Sequence, residues 1–337
     1  MTEYGENSKN IESFASGDRI DGVYALDKFT KATTSTGDTY VKVVASDATG
    51  KVSGNLWQFD KENADGHLSN IKEGDLVSMT AVIGEYRDNI QLSDISLVKV
   101  EDIGALSQEL ISQLAGSPVY DHQEFIDKVL TYITMMSPGP WREIVQRVYN
   151  KYEELIWTSP AAASMHHDMN GGLALHTLTM TESAVSLYNV YKHLYPNLNL
   201  DLLIAGTLLH DVGKVIELSG PIATHYTGIG VLEGHIVIGA SAVQQAAIEL
   251  GYDPNSEEIQ LLVHMVLAHH LKGEWGSPVS PAFIEAQLLH NIDKIDADMQ
   301  EFKKTEAEIG VGEATSGRWH GIDGRVYRPS IHPELEN

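Results

Sequence analysis

The sequence predicts a protein of two unlike parts, a small N-terminal β-barrel followed by an all-α domain. Up to about residue 100, short runs of alternating apolar and polar residues are separated by turn-forming clusters, which is typical of strands. Beyond that point the apolar residues recur at the spacing of helices. The length of 337 residues agrees with about two domains. The predicted fold class is therefore multidomain, with separate α and β parts.

The N-terminal part carries five short predicted strands over residues 11–100, after a polar segment, residues 1–10, that is predicted to be flexible. The clearest strands are Tyr40–Val44, Lys51–Trp57, Leu76–Ile83 and Ile90–Val100. A longer polar break over residues 61–72 separates the third strand from the fourth. Five strands with a long connection at this point favour an OB-fold, and another small β-barrel is the alternative.

The C-terminal part begins with a predicted helical connector, residues 101–160. Its helices are predicted at Ala105–Leu114, Gln123–Met136 and Trp141–Leu155. Residues 161–309 form the predicted all-α domain. Its helices are predicted at Leu173–Leu194, Leu200–Leu209, Gly234–Leu250, Ser256–His269 and Ala282–Phe302. Residues 310–337 are rich in glycine and irregular, and they are predicted to be a tail.

The charge of the chain restricts how it could bind a nucleic acid. There are 47 acidic against 23 basic side chains, a formal net charge of −24, which disfavours binding through bulk electrostatics. The excess is uneven, however, with −5 over residues 11–100 and −18 over residues 101–337. The acidity thus excludes duplex DNA held by charge, but it leaves a single strand bound locally and with metal ions as a candidate.

The predicted cellular compartment rests on three features that the sequence lacks. The absence of cysteine excludes a disulfide framework, a thiolate zinc site and a cysteine nucleophile. The N-terminus shows no basic segment followed by an apolar run, so no signal peptide is expected. Apolar stretches such as Leu202–Leu209 are too short to span a bilayer. We expect a cytoplasmic protein with no membrane partner.

Histidines and aspartates of the C-terminal part form a candidate metal site. Thirteen of the 15 histidines lie after residue 160, several of them at the ends of apolar helices. The candidate ligands are, in chain order, His176, His210, Asp211, His235, His269, His270 and Asp293. Imidazoles and carboxylates without thiolates suit Mn, Fe, Co, Zn or Ni rather than Ca. Spread over several helices, these residues together predict a metal centre.

Each candidate has a simpler interpretation when it is taken alone. His176 on an apolar helix face could be a buried, hydrogen-bonded core histidine. Asp296 and Asp298 compete with Asp293 in the same acidic run, and a solvated helix face is the simpler interpretation of those two. His264 lies about 140° around its helix from the first histidine of the following pair, which argues against a shared ion.

Asp211 and Lys214 are the candidate catalytic residues. A carboxylate such as Asp211 can bridge two metal ions, and such a pair activates water and clamps the attacking and leaving oxygens of a phosphoryl displacement. Lys214 is only three residues further along the chain, close enough to neutralise a phosphate oxygen. The pattern therefore points to hydrolysis of a phosphoester.

At these residues the chain resembles the HD-domain metal phosphohydrolases. The order His176, His210-Asp211, Asp293 matches their basic ligand set, and His210-Asp-Val-Gly-Lys214 matches their signature. Further segments resemble the YhaM family, in which an N-terminal OB-fold precedes the HD domain. They are 161–172, 210–221, 226–227, 234–236, 269–270, 276–279, 285–286 and 289–297. The likeness spans the chain except for about the first ten residues.

The resemblance implies a 3'→5' exoribonuclease that uses Mn²⁺ to release nucleoside monophosphates from single-stranded RNA, with single-stranded DNA as a further substrate left open. It implies a first metal held by His176, His210, Asp211 and Asp293. A second would be held by His235, His269 and His270, with Asp211 bridging and Lys214 facing the scissile phosphate. One or two ions are compatible with this set, and Fe, Co, Zn, Ni or Mg remain alternatives to Mn.

Candidate substrate contacts lie in the barrel and in the tail. An OB barrel binds single strands by stacking bases on aromatic side chains, and Tyr40, Trp57, Phe59, Tyr86 and Arg87 are the candidates. Trp57 and Phe59 could instead belong to the barrel core. In the tail, Arg318, Arg325 and Arg328 alternate with aromatic residues, a pattern that suits phosphate contact and stacking. The alternative is a tail packed over the helical domain.

Two other functions compete with the exonuclease. One is a phosphohydrolase for a free nucleotide or a cyclic dinucleotide with a regulatory barrel, but so small a substrate needs no strand-binding groove. The other is a single-strand-binding module with a relic metal site, against which the intact ligand set argues. The sequence leaves open whether the chain forms a homo-oligomer.

Overall fold

A computed structural model describes residues 8–331 apart from 58, 60–62, 64–65, 88, 102–105, 163–168, 223, 318–321 and 323. The chain divides into two compact units. The first comprises residues 1–118 with 219–225, and the second comprises residues 119–218 with 226–337.

The first unit is built on a closed barrel of five strands. They are β1 (Arg19–Thr33), β2 (Thr39–Asp47), β3 (Gly50–Leu56), β4 (Leu76–Tyr86) and β5 (Asn89–Lys99), in the order β1-β2-β3-β5-β4. All pairs are antiparallel except β3 and β5, which are parallel. A short 3₁₀ helix, His67–Asn70, lies in the polar break predicted between the third and fourth strands. The prediction of an OB-like barrel is confirmed.

Barrel closure depends on a glycine where β3 meets β5. Gly54 pairs with Leu92, and a Cβ at Gly54 would lie 2.4 Å from the Leu92 carbonyl oxygen. Only glycine allows the two backbones to approach so closely. Inside the barrel, alternating residues of each strand form one apolar core, as the period of two requires.

The end of the segment predicted to be flexible is bound to the barrel. The Val23 N–H donates to the Ser8 hydroxyl at 2.9 Å, and the Tyr24 hydroxyl donates to the Lys9 carbonyl at 2.8 Å. Residues 8–10 are therefore held against β1, whereas residues 1–7 lie outside the described residues.

The first helix of the predicted connector packs with the barrel. Helix α1 (Gln108–Ala115) is capped by the Ser107 hydroxyl, which accepts from the Leu110 N–H at 3.2 Å. Its residues Leu110 and Leu114 share a buried cluster with Val23 of the barrel. An i, i+4 pair on one helix face explains why this helix belongs to the first unit. The predicted domain limits at residues 100 and 160 stay a prediction.

The second unit is helical in the part of the chain that the structure describes. Its helices are α2 (His122–Met135), α3 (Pro140–Thr158), α4 (Gly172–Tyr191), α5 (Leu200–Leu209), α6 (Lys214–Glu217), α7 (Gly228–Glu249), α8 (Glu257–Ala268) and α9 (Ile284–Ala307). Every residue of α5 from Leu202 to Leu209 is buried, because this helix is apolar on all sides. The residues that follow α5 therefore enter the domain interior.

Helix α7 turns sharply at Gly234, whose φ of +73° is a left-handed value that glycine adopts readily. By length and composition alone, α7 is the one helix among the described residues that could cross a membrane. A core helix meets the same criteria, and α7 buries Ile236, Ala240 and Val243, which share one face. The expectation of no membrane partner stays a prediction.

The C-terminal tail folds back on itself where it is described. Ala314 and Tyr327 form an isolated antiparallel bridge, Val326 is buried, and the Arg328 guanidinium donates to the Ile309 carbonyl at 3.1 Å. These contacts agree with the packed-tail interpretation of Arg328. Arg325 is exposed, and Arg318 lies outside the described residues.

Candidate metal centre

The His-Asp pair that follows α5 is positioned by a tight turn. The His210 ring Nδ1 lies 2.8 Å from the Thr207 carbonyl oxygen of the preceding helical turn. A Cβ at Gly213 would lie 2.0 Å from the His235 carbonyl oxygen. Glycine therefore lets this turn pack directly against α7 and brings Asp211 next to His235.

All seven predicted ligands come together in two adjoining clusters. The first contains His176 of α4, His210 and Asp293 of α9, and the second contains Asp211, His235, His269 and His270. Within each cluster the candidate ligand atoms all lie within 4.8 Å of one another. A third group of this kind among the described residues, His122 with Glu153 and Glu154, lies elsewhere, between α2 and α3.

Asp211 directs one carboxylate oxygen toward each cluster. Its Oδ2 lies 3.5 Å from His176 Nε2 and 3.3 Å from His210 Nε2. Its Oδ1 lies 3.5 Å from His235 Nε2 and 3.6 Å from His269 Nε2. This is the geometry of a carboxylate shared between two sites.

Each of the five histidines has a partner for its Nδ1 atom. The acceptors are Asp296 for His176, the Thr207 carbonyl for His210, Glu217 for His235, the Val266 carbonyl for His269 and the Trp275 carbonyl for His270, at 2.7–3.1 Å. A backbone carbonyl only accepts, so in those three rings Nδ1 carries the proton. In those three rings the Nε2 lone pair is thereby left facing the clusters, as metal-ligating histidines require.

Unpartnered polar atoms indicate that these clusters fit a cation. Among the described residues, Asp211 Oδ1, His235 Nε2 and His269 Nε2 are buried and have no hydrogen-bond partner. Each such atom costs about 1–3 kcal/mol when it is left unpaired. In addition, Nε2 of His176 and Nε2 of His210 approach to 3.2 Å. A divalent ion in each cluster would satisfy these atoms, and the imidazole and carboxylate donors suit a transition metal.

The carboxylates of the site are held in the ionised form. Burial works to raise the pKa of Asp211, but Lys214 and His210 outweigh it and hold that pKa well below its usual value. Burial likewise opposes the ionised form of Asp293, and His176 outweighs it and lowers the pKa. Both carboxylates are thus ready to bind a cation.

The adjacent histidines on the other side of the site are neutral. Burial lowers the pKa of His269, and burial together with His269 lowers the pKa of His270 to about 3. His176 differs, because Asp211, Asp293 and Asp296 outweigh its burial and raise its pKa well above the usual value. The proton that these carboxylates attract to His176 occupies the place that a cation would take.

Lys214 is a buried cation beside the clusters. Its Nζ lies 2.7 Å from Asp211 Oδ2. Burial works to lower its pKa, but Asp211 outweighs it and raises the pKa, so the side chain stays charged. Lys214 also lines an open pocket of about 400 Å³ together with His270 and Asp293. The pocket leads directly to residues of both clusters.

Three residues of the site were not predicted as such from the sequence. The Glu217 carboxylate accepts from both the backbone N–H and the ring of His235. Asp296 is 7% exposed and binds His176, so the solvated-face interpretation of Asp296 is wrong. The Asp298 side chain, by contrast, is half-buried and is paired with Lys294. Trp275 lines the pocket.

We expect Asp296→Asn to weaken metal binding at the first cluster. The Asp296 carboxylate fixes the His176 ring through Nδ1, and loss of such a contact typically costs about 10–100-fold in metal affinity. Titration of the protein with Mn²⁺ followed by calorimetry measures the effect. Asp298→Asn, two residues along the same helix, is the matched control. Equal affinities in the two variants would contradict the role assigned to Asp296.

In the barrel, the half-buried Tyr40 and the exposed Trp57 form an aromatic pair. Their ring centroids are 4.9 Å apart, and Trp57 is 57% exposed. The core interpretation was right for Phe59, which is 1% exposed, and wrong for Trp57. Trp57 lies in the turn directly after Leu56, the buried last residue of β3.

A second aromatic position lies at the β4–β5 hairpin. Tyr86 is exposed, and the Arg87 guanidinium carbon lies 5.1 Å from the centroid of its ring. Arg87 has a φ of +52°, as a tight hairpin requires. The predicted surface location of this pair agrees with the structure, and its contact with a substrate stays a prediction.

Comparisons with known proteins agree with this site. The family model described as HD domain matches residues 173–298, a range that includes all seven clustered ligands. A 3'-5' exoribonuclease YhaM from Halalkalibacterium halodurans is 35% identical over 331 residues, 98% of this chain and 99% of the relative. A 3'-5' exoribonuclease YhaM from a Geobacillus strain is 35% identical over 323 residues, 96% of this chain and 95% of the relative.

Proposed function

The chain belongs to the YhaM family of 3'-5' exoribonucleases, and on that premise we propose that it is a metal-dependent enzyme that shortens single-stranded RNA from the 3' end and releases nucleoside monophosphates. The observation that carries the proposal is the Asp211 carboxylate, which directs one oxygen toward each of two ligand clusters. That arrangement suits phosphodiester hydrolysis with two ions.

We propose that His176, His210 and Asp293 hold one divalent ion, and that His235, His269 and His270 hold the other. Asp211 is then common to both. Mn²⁺ is the proposed ion, as the imidazole and carboxylate donors favour a borderline metal. Bound ions would supply an activated water and would stabilise charge on the phosphate oxygens.

The side chains around the ions have separate tasks. Lys214 offers its buried ammonium group to a phosphate oxygen at the mouth of the pocket. Glu217 and Asp296 hold the His235 and His176 rings in orientation. Because these groups are fixed by hydrogen bonds before substrate arrives, little reorganisation is needed during the reaction.

The RNA strand is bound mainly by stacking. The Tyr40–Trp57 pair, in which Trp57 is exposed, and Tyr86 with Arg87 support this role for the barrel. Arg318, Arg325 and Arg328 of the tail remain candidate phosphate contacts. The net charge of −24 argues against tight binding of duplexes. We further propose a cytoplasmic location. Activity on single-stranded DNA can be tested in the same way with an oligodeoxyribonucleotide. Assembly into a homo-oligomer stays a prediction.

The proposal is tested with a 5'-labelled single-stranded oligoribonucleotide and Mn²⁺. We expect a ladder of products that shorten by one nucleotide, together with nucleoside 5'-monophosphates, and no reaction after removal of metal with EDTA. Deoxynucleoside triphosphates and cyclic dinucleotides are assayed in parallel. Hydrolysis of these small molecules without any RNA ladder would instead establish the nucleotide phosphohydrolase.

We expect Trp57→Ala to weaken RNA binding while leaving chemistry intact. Loss of one base–aromatic stack corresponds to an increase of about 5- to 150-fold in the dissociation constant. The rate at saturating RNA stays at the wild-type level, because Trp57 is not among the residues of the metal centre. Fluorescence anisotropy measures the affinity, and Tyr195→Ala, which removes an exposed aromatic from the helical unit, is the control. Unchanged affinity in Trp57→Ala would exclude this surface.

A further inference from the structure

The pocket beside the metal centre contains an aromatic side chain, Trp275, which is not one of the candidate metal ligands. It has a volume of about 400 Å³, and the lining residues that matter here are Lys214, His270, Asp293, Trp275, His290 and Ala297. The pocket is thus lined both by charged groups and by Trp275, whose indole is a flat apolar ring.

The backbone of Trp275 is fixed to a candidate metal ligand. Trp275 ends the short 3₁₀ helix Gly273–Trp275, and its N–H donates to the Lys272 carbonyl at 2.9 Å. Its own carbonyl accepts from the His270 ring at 2.7 Å. Gly276, with a φ of +101°, then turns the chain. The position of the indole is thus coupled to the position of His270.

The indole ring itself is only partly packed. Trp275 is 49% exposed, and its ring lies nearly parallel to that of His290, with a centroid distance of 6.4 Å and an angle of 20°. The His290 ring is held in turn by the His269 carbonyl at 2.8 Å. The Lys272 ammonium lies 4.8 Å from the indole centroid. An exposed, supported aromatic surface next to phosphate-binding groups has the chemistry of a nucleobase platform.

We propose that Trp275 binds the nucleobase of the terminal nucleotide by stacking, so that the pocket is a subsite for a nucleoside monophosphate unit. This inference rests on the proposed function, since it takes the phosphate of that unit to lie at Lys214 and the metal centre. Every base has a π face, so the subsite accepts all four nucleotides with little sequence preference. Ribose and phosphate alone cannot make this contact.

The test compares adenosine 5'-monophosphate with ribose 5-phosphate by calorimetry on the Mn²⁺-loaded protein. We expect the nucleotide to bind about 5- to 150-fold more tightly than the sugar phosphate, which corresponds to one base–aromatic stack. Trp275→Ala loses this preference and keeps the affinity for ribose 5-phosphate. Trp275→Phe retains most of the preference. Tyr195→Ala, the loss of an exposed aromatic side chain elsewhere in the helical unit, keeps all of it.

Equal affinities for the two ligands in the wild-type protein, or a preference that persists in Trp275→Ala, would overturn the proposal. If Trp275→Ala loses Mn²⁺ or fails to fold, the comparison of Trp275→Phe with Trp275→Leu decides, because only the aromatic variant keeps the preference. The RNA ladder assay distinguishes failure of the subsite from failure of the proposed function. If the protein shows the Trp275-dependent preference but does not shorten RNA, the nucleotide subsite stands and the exoribonuclease proposal is wrong.

Discussion

Replacement of Asp211 by asparagine is expected to abolish turnover of single-stranded RNA, with a fall in kcat on the order of 10³-fold or more. The physical reason is that Asp211 provides an oxygen to each ligand cluster, so one substitution removes negative charge from both sites. The same change leaves the Lys214 ammonium buried without its ion-pair partner.

The Asp211→Asn experiment combines steady-state rates with RNA affinity from fluorescence anisotropy. We expect the affinity for a long oligoribonucleotide to stay within about threefold of the wild type, because in the proposed function stacking on the barrel provides most of that affinity. Glu233→Gln, which removes an exposed carboxylate two residues from His235, is the control and keeps the wild-type rate. A wild-type rate in Asp211→Asn would refute the assignment of the metal ligands.

Replacement of Lys214 by methionine is expected to lower kcat by about 10²–10³-fold while both metal ions stay bound. In the proposed function, Lys214 neutralises a phosphate oxygen and contributes no ligand atom to either metal ion. In the structure its ammonium group is paired with Asp211 Oδ2. Metal content and activity are therefore affected differently, which distinguishes this variant from Asp211→Asn.

The Lys214→Met measurement is kcat together with Mn²⁺ content determined by mass spectrometry. Lys294→Met is the matched control, because Lys294 lines the same pocket but is paired with Asp298 at 2.8 Å and is more than half exposed. Its kcat stays within about threefold of the wild type. Loss of metal from Lys214→Met, or an unchanged kcat, would show that Lys214 does not act on the phosphate.

Local residue patterns predicted most strands and helices of this fold, because the burial of each side chain within such an element follows from residues nearby in the sequence. Alternation in β3 buries Val52, Gly54 and Leu56, as the period of two requires. For Trp57 and Phe59, which follow the strand, the sequence left both a core and a surface position open, and the structure buries Phe59 and exposes Trp57. Helix α5 was predicted within the bounds observed, Leu200–Leu209, from its continuous apolar run. The short helix Lys214–Glu217 was not predicted, as four residues carry too little periodicity.

The site was predicted as a set of residues, and its three-dimensional arrangement required the structure. His176 and Asp296 are 120 residues apart in the chain, and no spacing rule links them. The i, i+3 relation between Asp293 and Asp296 placed both on one helix face and was the one available signal. Glu217 contacts the His235 ring, and the Trp275 carbonyl contacts the His270 ring. Neither residue is a candidate metal ligand, and contacts of this indirect kind do not form a recognisable pattern in a single sequence.

The central claim, that Asp211 is shared by two metal ions, is tested most directly by anomalous diffraction from crystals grown with Mn²⁺. We predict two manganese peaks about 3.5–4 Å apart. One lies beside His176, His210 and Asp293, and the other lies beside His235, His269 and His270, with one Asp211 oxygen on each. A single peak, or two peaks that do not share Asp211, would contradict the claim.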